Sequence, residues 1–319
     1  MFFFVVLFLV IGVLALYKGA DLLVSQSSAL AAKMGVSTAV VGLSVVALGG
    51  IMPELSIGIA ASFGHANDLI IGNAIGSSIL KLALVFGVAA IIAPIKIQES
   101  TLKHEFPWVL LASVLIYFLA FDLTISRGDA MILILLGIAF QWYSIWHSKK
   151  EMQKELGKQK HKRRSRAALK TGRAWVKIVL GLVLIILGAK LFVDSSLALA
   201  LYFHISELLI GVLVIAIGAS IPELVVTLVS AIKHQPGLGI GNIIGSNVMN
   251  IHVVVGVAAL ISPLSIHPDL LIMDFPTLIF TAILVAVLFK SSHRLSRFEG
   301  VVLVMGYLLY VVYSIKFWG

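Results

Sequence analysis

The sequence predicts an all-α membrane protein, with ten transmembrane helices arranged as two inverted five-helix repeats whose central helices are broken by Pro and Gly. Three observations carry this expectation. Hydrophobic residues make up 60% of the chain and charged residues only 12%, with a mean hydropathy of +1.07; a soluble domain covers itself with about 25% charged residues. The segment Ala47-Leu48-Gly49-Gly50-Ile51-Met52-Pro53-Glu54 returns 169 residues later as Ala216-Ile217-Gly218-Ala219-Ser220-Ile221-Pro222-Glu223. The same offset relates Gly72-Asn73-Ala74-Ile75-Gly76-Ser77 to Gly241-Asn242-Ile243-Ile244-Gly245-Ser246, and Pro94 to Pro263. Between 70 and 94, 13 of 25 aligned positions are identical, which shared apolar composition would not produce, so the chain carries an internal duplication.

The first span covers residues 2 to 24; nothing basic precedes Phe2 to Tyr17 and no small-residue cleavage site follows suitably, so it reads as a membrane helix rather than a cleaved signal peptide. Spans at 36 to 63, 70 to 93, 107 to 121 and 128 to 147 complete a first repeat, residues 1–147. A second set at 175 to 194, 205 to 232, 238 to 261, 275 to 290 and 298 to 316 forms the repeat 174–319. Their lengths suit a hydrocarbon core of about 30 Å. An odd number of spans per repeat makes the second copy enter the membrane from the opposite side, as in secondary transporters with a substrate site near the bilayer midplane.

Between the repeats, residues 148–173 form the one long hydrophilic stretch, and His147 to Arg173 holds eleven Lys or Arg, with runs such as Lys160-His161-Lys162-Arg163-Arg164. A nucleic-acid patch and a cytoplasmic loop obeying the positive-inside rule are the two readings, and the net charge of +9 suits either. The loop reading is preferred because Lys33, Lys96, Lys103, Lys233, Lys290, Arg294 and Arg297 fall on the same side as it, against Arg127, Lys190 and Lys316 opposite. It places both termini outside, excludes nucleic acid as a partner, and lets the loop attract anionic lipid headgroups at about 1 kcal/mol per nearby basic side chain. The absence of Cys excludes disulfide frameworks, thiolate metal sites and cysteine nucleophiles. No GxxxxGK[ST] phosphate loop is present, so transport is expected to run on an ion gradient, without ATP.

Within the spans, Pro53 and Pro222 each remove a backbone donor, which should leave carbonyls near Gly49 and Gly218 without helical partners and open to cations. The alternative is a kink for packing alone. Glu54 and Glu223 follow these prolines at once and are the only carboxylates deep inside the predicted spans; an intramembrane ionisable group costs about 2.5–3.5 kcal/mol on insertion scales, so function is the default explanation. Ser77 with Lys81, and Ser246 with Asn250, are four apart and share a helix face. Gly72 with Gly76, and Gly241 with Gly245, are small-xxx-small pairs that permit close helix contact. Asn73, Asn242 and Asn247 either hydrogen-bond the broken helices or touch ions. His252 reads as a helix–helix hydrogen bond ahead of a proton relay, and Asp21 and Lys190 as anchors of the ends of the first and sixth spans.

Together these residues resemble the sodium/calcium exchanger membrane region of the calcium/cation antiporter superfamily, whose repeats carry G-T-S-x-P-E and G-N-x-x-G-S-N-x-x-N or -D. The resemblance covers essentially all ten helices, and it implies an alternating-access antiporter in a prokaryotic inner membrane with the second, third, seventh and eighth spans around the ions. It implies inorganic cations as the partners, calcium exchanged for sodium or protons, and no organic cofactor. Glu54 and Glu223 would be the central calcium carboxylates; Ser77, Ser220, Ser246 and Asn250, with the carbonyls of Ala47 and Ala216, would be calcium or sodium ligands. The chain departs from the pattern, chiefly in its first repeat: Gly50 and Ile51 stand where the family has Thr and Ser, Ser78 replaces Asn, and Lys81 replaces Asn or Asp, while in the second repeat Ala219 replaces the second Thr. Calcium takes 6 to 8 oxygens, so these changes must abolish or reshape at least one cation site. Lys81 is expected to act as a tethered cation held by Glu54, snorkelling to an interface being the alternative. Three functions remain at this point: calcium antiport, a monovalent cation/proton antiporter using the Glu54–Lys81 pair, and a non-transporting sensor or scaffold.

Overall fold

The computed structural model describes residues 2–34, 36–65, 67–158, 171–202 and 220–318. Its helices are α1 (Phe2–Met34), α2 (Thr38–Gly50), α3 (Met52–Phe63), α4 (Asn67–Ile92), α5 (Glu99–Leu119, with a turn at Glu105), α6 (Arg127–Lys158), α7 (Thr171–Tyr202), α8 (Ile221–Ile232), α9 (Pro236–Ile261), α10 (Leu270–Ser291) and α11 (Arg297–Trp318). Eight of these are long and apolar enough to cross a membrane, nine when the bent pair α2–α3 counts as one span. The predicted seventh span, 205 to 232, is described only from residue 220 onward, where α8 forms its last 12 helical residues.

Several helices outrun the apolar stretches that predict them. The first, α1, continues to Met34 rather than stopping near Val24, α6 to Lys158 rather than 147, and α7 to Tyr202 rather than 194. Ala, Leu, Lys, Glu and Gln favour helix in water as well as in lipid, so a boundary drawn at the loss of hydrophobicity falls short of the helix end. The 33 residues of α1 span about 50 Å at 1.5 Å per residue, more than the hydrocarbon core, so the helix must tilt or project. Its companion is α7. A Cβ added at Gly12, Gly19, Gly181 or Gly188 would stand 2.8–2.9 Å from backbone atoms of the other helix, so glycine is what permits this approach.

Burial separates a centre from a periphery. Of their most apolar windows, α9 is 83% and α4 72% buried, against 22% for α1 and 17% for α11, whose outward Phe, Leu and Val side chains are exposed, as a lipid-facing surface requires. The helices α2 and α9 meet backbone to backbone: a Cβ at Gly241 would lie 2.1 Å from the Ala39 carbonyl oxygen, and one at Gly245 2.5 Å from that of Leu43.

Two small antiparallel sheets tie the repeats together. Ile95–Lys96 (β1) pairs with Arg294–Leu295 (β4), and Thr124–Ile125 (β2) with Leu264–Ser265 (β3). The first joins the loops after α4 and α10, the second the loops after α5 and α9, each sheet taking one strand from each repeat. Asn67 Nδ2 donates to Ser265 Oγ at 2.7 Å and Arg127 Nη2 to the Ile261 carbonyl at 3.3 Å, both on the β2–β3 face. Strand pairing therefore groups the loops as the alternation of spans requires.

Candidate functional site

The second span breaks at a single residue. Ile51 lies between α2 and α3, which meet at 42°. Pro53 has no N–H for the Gly49 carbonyl four residues before it, as expected. The Ala47 carbonyl, by contrast, still accepts a hydrogen bond from Ile51 N at 3.0 Å, so the helix holds together further than the sequence suggests. Glu54 falls in the first turn of α3 and Glu223 in the first turn of α8, where unpaired N–H groups and the helix dipole favour a negative charge.

The third and eighth spans also change geometry at equivalent places. In α4, residues Lys81–Val85 are π-helical, and in α9 residues Asn250–Val255. Lys81 and Asn250, 169 apart, are the first residues of the two π segments. Single π turns inside α-helices reorient side chains and are frequent at functional sites.

The centre of the site is a charge triad. Lys81 Nζ lies 3.3 Å from Glu54 Oε1, to which it donates a hydrogen bond, and 3.5 Å from Glu223 Oε1. All three side chains are essentially inaccessible, at 0% for Lys81 and 1% for each Glu. The sequence places the amine beside Glu54; the structure adds Glu223, so the ammonium bridges the two repeats. With all three groups ionised, one cation against two carboxylates sums to minus one. Taking these ions out of water costs several kcal/mol each, and the arrangement persists only because opposite charges meet at short range.

Around the triad the expected ligands divide. Ser77 and Asn250 meet directly, Asn250 Nδ2 donating to Ser77 Oγ at 2.8 Å and to the Ala74 carbonyl at 3.2 Å. Ser220 is buried, and its Oγ has no hydrogen-bond partner among the described residues. Ser246 Oγ and Asn247 Nδ2 donate within their own helix to the Ile243 carbonyl, at 3.2 and 2.8 Å. Asn242 is 1% exposed, while its repeat mate Asn73 is half-buried. Ala216 lies outside the described residues. Several oxygens here lack a hydrogen-bond partner among the described residues: Glu54 Oε2, Glu223 Oε2, and Oδ1 of Asn242, Asn247 and Asn250, while Glu223 Oε1 faces the Lys81 amine. Buried acceptors left unmade are costly, and acceptors gathered without donors fit a cation.

Three expectations are corrected. His252 makes its bond within its own helix, Nδ1 donating to the Val248 carbonyl at 2.8 Å, rather than between helices, because the side chain folds back toward the preceding turn. Asp21 pairs with Lys233, whose amine also reaches Ser25 Oγ at 2.6 Å, so it ties α1 to the end of α8 instead of anchoring a helix end alone. The fourth and ninth spans begin earlier than the expected 107 and 275, which brings two further buried carboxylates, besides Glu54 and Glu223, into the helices. Asp274, 5% exposed, accepts a 2.5 Å hydrogen bond from Tyr310 Oη, and Glu105 is 4% exposed. The signal was present as Glu105-Phe106-Pro107 and Asp274-Phe275-Pro276, again 169 apart, at positions just outside the apolar runs.

Inverted repeats, half-helices beginning beside buried carboxylates and a charged midspan centre define a secondary cation transporter. The sodium/calcium exchanger protein family matches residues 4–146 and again 173–316. The inner membrane protein YrbG of Escherichia coli is 31% identical over 306 residues, covering 95% of this chain and 94% of that protein. The sodium/calcium exchanger MaX1 of Methanosarcina acetivorans is 33% identical over 339 residues, covering 96% and 97%. The solved structure of the sodium-calcium exchanger NCX_Mj, soaked with zero Na+ and Ca2+, superposes with a TM-score of 0.83 at 29% identity, covering 98% of this chain and 99% of that one. The chain belongs to the sodium/calcium exchanger protein family and is a multi-pass membrane antiporter of cations.

Proposed function

We propose that this antiporter exchanges calcium against sodium or protons by alternating access, with Glu54 and Glu223 holding the transported cation and Lys81 competing for them as a resident cation. The observation that carries this reading is the Lys81 amine within 3.5 Å of both carboxylates. The names of the family and of MaX1 and NCX_Mj support the choice of ions. A divalent ion between the same two carboxylates must displace the ammonium, since two cations about 4 Å apart repel by several kcal/mol even at an effective dielectric constant of about 20. The resident charge therefore weakens calcium binding and lowers the charge carried per cycle. Ser77, Ser220, Ser246, Asn250 and the Ala47 and Ala216 carbonyls supply further oxygens in this reading, with Asn73, Asn242 and Asn247 behind them. A second reading, exchange of monovalent cations alone, is favoured by the Lys81 ammonium already standing between the two carboxylates.

In the same proposal residues 1–147 and 174–319 are the two repeats, joined by the basic 148–173 segment on the cytoplasmic side near anionic lipid headgroups, with both termini external. The grouping of loops by the two small sheets supports the alternation of spans on which this topology rests, and the basic residues choose its orientation. Flux of radiolabelled calcium and sodium in proteoliposomes at controlled pH tests the function. Calcium uptake driven by an outward sodium or proton gradient is expected, sodium flux without calcium flux selects the second reading, and no flux of either contradicts both.

A further inference from the structure

We propose that Asp21, Ser25 and Lys233 form a latch that closes α1 onto α8 at one end of the molecule, and that this latch biases the resting exchanger toward the conformation closed at that end. The inference rests on the alternating-access reading and adds which residues hold one of its two conformations. Lys233 directly follows the last residue of α8. Its amine lies 2.5 Å from Asp21 Oδ1 and donates to Ser25 Oγ at 2.6 Å and to the Asp21 carbonyl at 3.4 Å, so one cation grips a whole turn of α1. The Lys233 and Asp21 side chains are 31% and 39% exposed, which leaves the pair only partly screened.

The duplication gives this contact its consequence. Inverted repeats exchange roles between the two facing conformations, so a contact made in one repeat is answered, in the opposite conformation, by its mates in the other. At the 169-residue offset the mates of Asp21, Ser25 and Lys233 are Lys190, Asp194 and Gly64. Glycine has no side chain, so these mates cannot form the ion pair. The latch therefore serves one conformation and has no equivalent in the other.

Burial differs between the repeats in the same sense. Ile221 and Val226 of α8 pack in one apolar cluster with Leu23 and Val24 of α1, and are 7% and 3% exposed. Their mates on α3, Met52 and Ile57, are 46% and 41% exposed. The face of α8 is covered where the latch sits, and the same face of α3 stands open, as the repeats of an exchanger closed at one end alone must differ.

Because the chain holds no Cys, a single introduced thiol reports alone. The test is the rate at which a membrane-impermeant maleimide labels Val226→Cys in the full-length protein, in inside-out and right-side-out vesicles with choline as the only added cation. Slow labelling is expected while the latch is intact. The isosteric Asp21→Asn, and separately Lys233→Gln, should each raise the rate about threefold to fivefold, the scale of a partly exposed ion pair, and only from the Lys233 side, which is cytoplasmic in the proposed orientation. Exchanging the charges, Asp21→Lys with Lys233→Asp, should return the rate toward the native value, which a merely structural role of either residue would not do. An unchanged rate in both single variants, or a charge exchange that labels as fast as they do, would overturn the latch. Cation flux in the same vesicles keeps that failure distinct from failure of the exchange reading, which absence of flux in the native protein would contradict.

Discussion

Lys81 sets one basic group between the two buried carboxylates of the repeats. Its amine reaches Glu54 and Glu223 from a third helix, so the three charges hold one another across the two repeats. Sequence reasoning finds both Glu residues because carboxylates in apolar spans are costly, and finds Lys81 because it stands four residues from Ser77. It does not find the contact with Glu223, because pairing across 142 residues depends on packing that no local spacing encodes. Asp274 and Glu105 escaped for a different reason: they precede Phe-Pro at the margins of the apolar runs, where a charge attracts no attention. If Glu223 holds the transported ion, Glu223→Gln keeps the shape and one neutral oxygen but removes the charge. Transport should then fall by at least about a hundredfold in vesicle flux, the usual scale for an interaction worth about 3 kcal/mol, with the protein still inserted and monodisperse. Wild-type flux in that variant would remove Glu223 from the site.

At the scale of elements, the repeated Pro-Glu pair and the repeated glycines were legible because they break the rules of an ordinary membrane helix. The π-helical turns starting at Lys81 and Asn250 were not legible, since no residue type marks them. The glycine pair Gly241 and Gly245 predicts close contact without naming the partner, which proves to be α2 at Ala39 and Leu43. That contact positions Asn242 beside Gly50 and so sets the geometry of the candidate site. A Cβ 2.1 Å from a carbonyl oxygen forces two helices apart, so Gly241→Ala should destabilise the protein by about 1–3 kcal/mol, the usual range for overpacking, seen as a lower melting temperature in detergent. Gly306→Ala is the control: no described atom lies within 4 Å of its Cβ position, it faces outward from α11, and it should be neutral or slightly stabilising through helix propensity. Equal melting temperatures for the two variants would contradict the close packing of α2 on α9.

For the whole molecule, the 169-residue offset and the odd number of spans per repeat made the inverted architecture readable before any coordinates. Helix ends were misplaced by up to about 11 residues, because hydrophobicity reports the membrane and helix propensity continues past it. Sidedness follows from the basic residues: a tag within 150 to 170 should be cytoplasmic and tags at either terminus should be open to protease outside right-side-out vesicles. Protection of a terminal tag there would overturn the proposed orientation. The central claim, that a resident ammonium competes with the transported cation for Glu54 and Glu223, is tested most directly by calcium binding to Lys81→Asn measured by calorimetry in detergent. Removing the ammonium frees both carboxylates and adds a neutral oxygen, so calcium affinity should rise at least about tenfold, equivalent to about 1.4 kcal/mol, and the charge moved per transport cycle should change. Unchanged affinity together with unchanged charge movement would show that Lys81 does not compete with the ion.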